Sequence, residues 1–575
     1  MKTIIQKFNE VADQFGGKTA LQFKFQGVYI GISYSELRKR VNTLAKALKS
    51  FGVAKGDKVA ILSENRSEWV RTDLAALTLG AITVPIHTTL SPKLIDHILN
   101  DSQAKILLVS NQEQFNKVIQ VISAINTLET VIYIDLDHQE DLPTGKKLIS
   151  LEQTMEIGSD IKEEIAVDVK ADDLASIIYT SGTTALPKGV MLTHNNFVFN
   201  AMASATVLAV TDKDSFLSFL PLSHVLERTA GYYTPLLVGG TISYAENVKT
   251  LKDDLKKTKP TILVAVPRIF EKVHSGIWDK IKAGGDRKMK IFTWALKQEP
   301  GTWKHKIADV LVFKKVRATF GGHLRFAVSG GASLNHKVGR FFDRMNIKIV
   351  EGYGLTETSP VISVNRLDDI KFGTVGKHLP GVEVMIAKDK EILTRGPHIM
   401  KGYFNNEILT KETIDADGWL HTGDLGFITS EGFLVIIGRK KEMIALSNGK
   451  IAWPEQLEIL LNNDRFISQS MVYGNQKSYL TALIVPDWSE VTLNLEELGL
   501  QSKEPGEFIK DEKLIKIFSD RLEKINEQLA DWEKIRKFVL LPAEFSADKD
   551  ELTPTLKLRR SKIAENYQKQ LSSLY

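Results

Sequence analysis

The chain has no cysteine. That excludes disulfides, thiolate zinc sites and a cysteine nucleophile. It also lacks an excess of either charge: 75 Lys and Arg stand against 70 Asp and Glu, for a net charge of +5. So even a balance is not that of a general nucleic-acid binder, and no nucleic-acid partner is expected. There is no long apolar run. The longest nearly charge-free stretch, Leu74 to Leu90, carries Gly80 and Pro85 and reads as a helix followed by a strand, not as a membrane span. The start, Met1 to Phe8, is too short and too polar for a secretory signal, so a cytoplasmic location is expected. The HExxH and GxSxG patterns of metalloproteases and serine hydrolases are absent, as is any internal repeat.

What is present suits a large globular protein. Hydrophobic residues make up 43% and charged residues 25% of 575, enough for a sizeable core and for about three or four units of 100–200 residues. Leu37, Val41, Leu44, Ala45 and Leu48 form a stripe at helical spacing. Helices expected over 34–51, 69–79 and 93–100 alternate with strands expected over 58–63, 82–85, 106–109 and 130–134. Such alternation predicts an α/β fold with mostly parallel sheets. Residues 135–152 are polar and read as a surface excursion. Further strands are expected over 215–220, 262–266, 324–329 and 347–351. The last two end at the glycine-rich turns Gly330-Gly-Ala-Ser-Leu334 and Gly352-Tyr-Gly-Leu-Thr-Glu-Thr358. Ligands of open parallel sheets sit beyond the carboxyl ends of strands, so these turns point to one nucleotide cleft.

From Gly373 short strands and many glycines predict a small β-rich subdomain, closed by Trp419 to Gly426. The charged run Gly438-Arg-Lys-Lys-Glu-Met-Ile444 marks the expected boundary between a large domain, 1–437, and a small α/β domain, 438–575. Residues 272–315 are rich in Lys, with Trp278, Phe292, Trp294, Trp303 and Phe313 interleaved. They read either as a solvated helical pair or as a surface for a membrane.

The chemistry centres on Tyr179-Thr-Ser-Gly-Thr-Thr-Ala-Leu-Pro-Lys-Gly-Val190. Closely spaced N–H and O–H donors with one ammonium suit polyphosphate oxygens. A Ser/Thr/Gly tract by itself fits a surface turn equally well. It is not a P-loop, because Lys188 precedes Gly189 and no Ser or Thr follows. In order along the chain then come FLPLSHVLER, VSGGASL, EGYGLTET, LHTGDLG, GRKKEMI and LTPTLKLRR. This ordered set resembles the AMP-forming, adenylate-forming enzymes over nearly the whole chain, and above all their long-chain fatty acyl-CoA synthetase branch. Ala185 stands where that family usually has glycine.

The resemblance implies two half-reactions. A fatty acid carboxylate attacks the α-phosphate of ATP to give acyl-AMP, and the thiol of CoA then displaces AMP. It implies that Thr180, Ser181, Gly182, Thr183, Thr184 and the catalytic Lys188 hold phosphates, and that Glu357 with Thr184 holds Mg2+. Gly331, Ala332, Ser333, Gly352, Tyr353, Gly354 and Thr356 would form the adenine side of the ATP site, with Asp424 and Arg439 on the ribose. His224 would sit at the acyl pocket or be a hydrogen-bonded structural histidine. Lys441 would be the hinge of a mobile C-terminal cap, or an ordinary surface lysine. Gly449 would lie near CoA. Lys557, by composition one surface cation among several, matches the family's catalytic lysine. The sequence admits peripheral contact with the inner face of a membrane and a homodimer.

Overall fold

The computed structural model describes residues 1–575 apart from 139–140, 181–185, 248–249, 502–503, 547–548 and 554–556. The chain forms two compact units. The first comprises 1–334, 338–384 and 393–421, and the second 335–337, 385–392 and 422–575.

The first unit carries two large sheets. One has eight strands in the order Gly402–Tyr403, Lys188–Thr193, Leu174–Thr180, Ile82–Ile86, Lys58–Leu62, Ala104–Val109, Thr130–Tyr133 and Lys147–Ser150. Its centre is parallel, as the alternation predicts. Lys147–Ser150 corrects the expectation for 135–152: that stretch supplies an edge strand, parallel to Thr130–Tyr133. The other sheet has nine strands, in the order Lys377–His378, Val361–Val364, Lys348–Gly354, Phe326–Ser329, Ile262–Ala265, Ser215–Ser218, Thr241–Tyr244, Thr19–Phe25 and Val28–Ser33. Its middle strands are likewise parallel. Strand 347–351 was expected to stop at Gly352; it continues through Gly354, where it pairs antiparallel with Val361–Val364.

Helix Ser67–Thr78 touches strands of both sheets. Apart from Glu68 it is buried from Ser67 to Leu77, its polar residues included. Of its two acids, Glu68 pairs with Arg66 and Arg71 near the surface, and Asp73 is fully buried. Opposite stands Arg228, on a wide-turned helical segment, Glu227–Tyr233. Its guanidinium donates to Asp73, to Ser176 Oγ at 2.7 Å and to the hydroxyl of Tyr233 at 3.0 Å, and also to Thr83 Oγ1. Tyr232 and Tyr233 give their own hydroxyl protons to Asp73 at 3.0 and 2.7 Å. The rings of Trp69, Phe197 and Tyr233 surround the cation at 5.3 to 5.5 Å.

Residues 267–282, 286–296 and 303–317 are helical, and their inner faces join the core around Phe270, Phe320 and Phe342. Phe292 and Phe313 are buried there, and Trp278 packs against the same cluster. These three of the five interleaved aromatics are core residues. Trp294 and Trp303 remain exposed.

A four-stranded sheet follows, in the order Glu383–Ile386, Glu391–Arg395, Leu420–Ile428 and Leu434–Arg439. It is the β-rich part expected from the glycine pattern. The second unit also holds a two-stranded sheet, Ile444–Ala445 with Ile451–Ala452, and a three-stranded one, Ile467–Tyr473, Leu480–Pro486 and Ile535–Leu540, with helices such as Pro454–Asn462 and Glu512–Asn526. Among the described residues no helix is long and apolar enough to cross a membrane.

Removing one partner of a buried ion pair strands the other charge, at a cost of about 3–5 kcal/mol. Asp73→Ala is expected to lower the stability of the first unit by that amount, read from its urea unfolding transition. A loss below about 1 kcal/mol, the size of an exposed pair, would show that Arg228 is satisfied without it.

Candidate active site

The phosphate-loop sequence turns out to be a β-hairpin. Strand Leu174–Thr180 runs antiparallel to Lys188–Thr193, with Thr180 opposite Lys188. Ser181, Gly182, Thr183, Thr184 and Ala185 lie outside the described residues. The base of the loop is fixed on both sides. Tyr179 donates its hydroxyl to Asp101 at 2.5 Å, and a ring nitrogen of His97 meets the Pro187 carbonyl at 3.0 Å. A Cβ on Gly189 would lie 2.6 Å from Ile177 Cγ2, so a larger residue there would force that side chain to move.

Lys188 Nζ sits over the ring of Tyr403, 5.2 Å from its centroid. The Tyr403 hydroxyl donates to Glu357 Oε1 at 2.7 Å. One tyrosine therefore joins the end of the phosphate loop to the acid of the GLTET motif. Burial, with Glu357 adding to it, holds that hydroxyl well above the usual tyrosine pKa. Among the described residues no group of three or more metal-binding side chains occurs. A single half-buried carboxylate is nevertheless what Mg2+ needs when phosphates and water complete its shell, and Glu357 fits that requirement.

Strands Phe326–Ser329 and Lys348–Gly354 are parallel neighbours, with Ser329 opposite Glu351. Gly331, Ala332 and Ser333 follow the end of the first strand, and Gly352, Tyr353 and Gly354 form the end of the second. Gly331 has φ +85°, a left-handed conformation. A Cβ on Gly354 would fall 1.7 Å from the Pro360 carbonyl oxygen, so no other residue closes this hairpin. Tyr353 is buried, and Thr356 begins the tight turn that presents Glu357. The two loops are pinned by Glu351, whose Oε1 accepts from the Leu334 N–H at 3.0 Å. Burial pushes the Glu351 carboxyl up to about 7, against a smaller pull from that N–H.

His224 lies in the turn before Glu227–Tyr233. Its Nδ1 accepts from the Leu226 N–H at 3.2 Å, and the Leu226 side chain sits against Gly330. The same turn is held by Asn65, which accepts from the Leu222 N–H at 2.9 Å and donates to the Leu220 carbonyl at 2.6 Å. The PLSHVLER and VSGGASL motifs thus meet in the first unit.

The second unit gathers another set. Asp424 is buried opposite Arg439 on paired strands, and their side chains meet at 3.1 Å. Lys557 is exposed at its surface, yet desolvation and the neighbouring Arg439 hold its ammonium below the ordinary lysine pKa. Asp424, Glu455 and Glu442 act in the opposite direction. Its turn is closed by Thr553, which donates its N–H to the Lys557 carbonyl at 2.8 Å while its Oγ1 accepts the Lys557 N–H at 3.0 Å. Arg560 anchors the segment. It donates to Glu442 at 2.9 Å and to Glu458 at 2.6 Å, so one guanidinium ties LKLRR to GRKKE and to helix Pro454–Asn462. Lys441 is exposed in a single tight helical turn, and Gly449, at φ +79°, forms an exposed turn.

A family model described as AMP-binding enzyme matches residues 8–404, and one described as AMP-binding enzyme C-terminal domain matches 441–575. The chain belongs to the AMP-binding enzyme family. The long-chain-fatty-acid–CoA ligase FadD15 of Mycobacterium bovis is 35% identical over 96% of this chain and 93% of its own length. Human long-chain-fatty-acid–CoA ligase ACSBG2 is 31% identical over 100% and 92%. The anthranilate CoA ligase AuaEII, solved with anthranoyl-AMP, shares the fold of this AMP-binding enzyme at TM-score 0.78 and 20% identity, over 99% of this chain and 98% of its own. So does the adenylation domain of a Mycobacterium chelonae carboxylate reductase, at TM-score 0.81 and 22% identity, over 100% and 91%.

Four side chains that position the site were not singled out from the sequence: Tyr403, Glu351, Asn65 and Arg228. Glu351 had a signal, as an acid ending the apolar run Ile349-Val350 just before glycine. Arg228 had one as well, a cation between Leu226 and the Tyr232-Tyr233 pair. Tyr403 and Asn65 act through partners far away in sequence, and nothing local marks them.

Glu351 yields a pH test. Its folded pKa, about 7, lies above the ordinary 4.5, so the folded state holds the proton more tightly and loses stability as pH rises from about 4.5 through about 7. Glu351→Gln removes that loss. The stability of the variant minus that of the wild type, from urea unfolding, should grow with pH up to about 7 and then level off. A pH-independent difference would exclude a neutral buried acid at this position.

Proposed function

We propose that the chain is an AMP-forming long-chain fatty acid–CoA ligase. What carries this reading is that relatives bearing that name align at 30 to 35% identity across 96 to 100% of the chain, and so across both units. In the first half-reaction a carboxylate oxygen bonds to the α-phosphorus of ATP, the bond from that phosphorus to the bridging oxygen breaks, and pyrophosphate leaves. In the second the CoA sulfur bonds to the acyl carbonyl carbon, its proton is lost, and AMP leaves with the electrons of the C–O bond.

A carboxylate approaching a triphosphate is an anion meeting an anion. Positive charge and oriented donors at the reacting phosphate must offset the repulsion, and they count most where charge builds in the transition state. We assign that work to Thr180, the donors of 181–184, and Lys188. Mg2+, held by Glu357 with Thr184, would supply further positive charge to the phosphate oxygens. Gly331, Ala332, Ser333, Gly352, Tyr353, Gly354 and Thr356 take the adenine side, and Asp424 accepts from the ribose with Arg439 beside it. His224 borders the acyl pocket and Gly449 the CoA. Lys557 bridges carboxylate and α-phosphate during adenylation. A C-terminal domain, 438–575, turning about Lys441, delivers it and then withdraws it for thioester formation. The substrates ATP and CoA fit a cytoplasmic location.

Purified protein with Mg2+ and a palmitate-like acid is expected to release pyrophosphate and to consume CoA. Lys557→Ala is expected to slow acid-dependent ATP–pyrophosphate exchange by about 100-fold or more, as loss of a transition-state charge does, while converting supplied acyl-AMP to thioester at close to the normal rate. Equal losses in both steps would contradict the role given to Lys557. Failure of exchange in the wild type would overturn the ligase reading itself.

A further inference from the structure

The helical segment from Trp303 to Arg317 has one face in the core and one in solvent. Trp303–Ala308, the wide turn Asp309–Phe313 and Lys314–Arg317 follow one another without a break. His305, Ala308, Val312, Phe313 and Val316 point inward. Trp303, Ile307, Val310 and Leu311 point outward and are 68, 41, 67 and 51% exposed. These four recur at the spacing of a single helix face. The neighbouring helix Asp286–Leu296 buries Phe292 and Ala295 in the same core and exposes Ile291 and Trp294. Exposed apolar residues scattered singly need no explanation, but a contiguous set marks a surface that something covers.

The charge around this face selects what covers it. Between 286 and 317 there are nine basic and three acidic residues, in a chain whose net charge is only +5. Lys304, Lys306, Lys314 and Lys315 are all exposed beside the apolar stripe. One of the three acids, Asp309, is already engaged bidentately by Arg317. Two copies of such a face would bring like charges together. A surface with an apolar interior and negative headgroups would satisfy both features at once, and tryptophan favours that interface.

We propose that the outer face of 286–317 docks on the surface of an anionic lipid bilayer. Val310, Leu311, Ile307 and Trp303 enter the boundary between headgroups and acyl chains, and the lysines beside them take the phosphates. This binding does not depend on the catalytic reading, since it requires neither ATP nor CoA. Joined to that reading, it sets the enzyme where long-chain acids are dissolved.

The test is sedimentation of the full-length protein with phosphatidylcholine vesicles and with vesicles also containing about 30% phosphatidylglycerol, at low and high salt. Binding is expected to rise several-fold with the anionic lipid and to fall with salt. Val310→Asp with Leu311→Asp should lower partitioning about tenfold or more, and Lys304→Glu with Lys314→Glu should weaken binding to the anionic vesicles alone. Trp303→Phe gives a check that hardly perturbs folding: brominated lipid should quench the wild type more than the variant. The proposal is overturned if the wild type binds anionic vesicles no better than the double aspartate variant does, or if quenching is unchanged by Trp303→Phe. It is overturned also if Val310→Asp dissociates a dimer in sedimentation velocity while vesicles bind nothing, which would assign the face to a second copy.

Discussion

A fully buried guanidinium is among the costliest groups a protein can place in its interior. Several kcal/mol of hydration are lost, and the cost is offset only when every donor finds an acceptor in good geometry. Arg228 meets that condition with Asp73, Thr83, Ser176 and Tyr233. Its partners come from helix Ser67–Thr78 and from two strands of the eight-stranded sheet, while Arg228 itself belongs to the segment between two strands of the nine-stranded sheet. The two sheets are thereby fixed in register at one point. Arginine suits this role better than lysine, because a planar fork can serve several acceptors at once and does not lose its charge on burial.

What that point holds in place is the turn Pro221 to Leu226, directly before Arg228. The Arg228 N–H bonds back to the His224 carbonyl at 3.0 Å, and Leu226 packs on Gly330. The geometry of the turn that carries His224 is therefore set from below by an ion pair and from the side by the loop that follows Ser329. Glu351 performs the corresponding task one strand further along. A buried acid accepting a single backbone N–H is a gentler device than an ion pair.

The centre of each sheet is legible in the sequence because parallel strands buried on both faces read as unbroken apolar runs. Val59 to Leu62 and Ile106 to Val109 are of this kind. The strands that escape are those whose identity depends on a distant neighbour. Lys188–Thr193 opens with Lys-Gly and looks like the tail of a loop, yet it pairs with Leu174–Thr180 and with Gly402–Tyr403. Lys147–Ser150 has only two apolar residues, and Gly352–Gly354 looks like a turn. The site follows the same rule. Motif residues can be named because their order along the chain is distinctive. Tyr403, which links Lys188 to Glu357, cannot be named, because a short Gly-Tyr strand becomes meaningful only once it is paired.

The surroundings of Lys557 set the balance of charge around its ammonium. An ammonium fully neutralised by carboxylates would gain little from meeting a phosphate, since it would first have to give those carboxylates up. An ammonium facing only another cation would be strongly disfavoured and would shed its proton. Lys557 stands between these limits: desolvation and Arg439 disfavour its charge, while Asp424, Glu455 and Glu442 favour it. Arg439 is itself paired with Asp424, and Glu442 with Arg560, so neither of those acids is free to neutralise the lysine outright. A cation left partly uncompensated in this way gains most from a new anion.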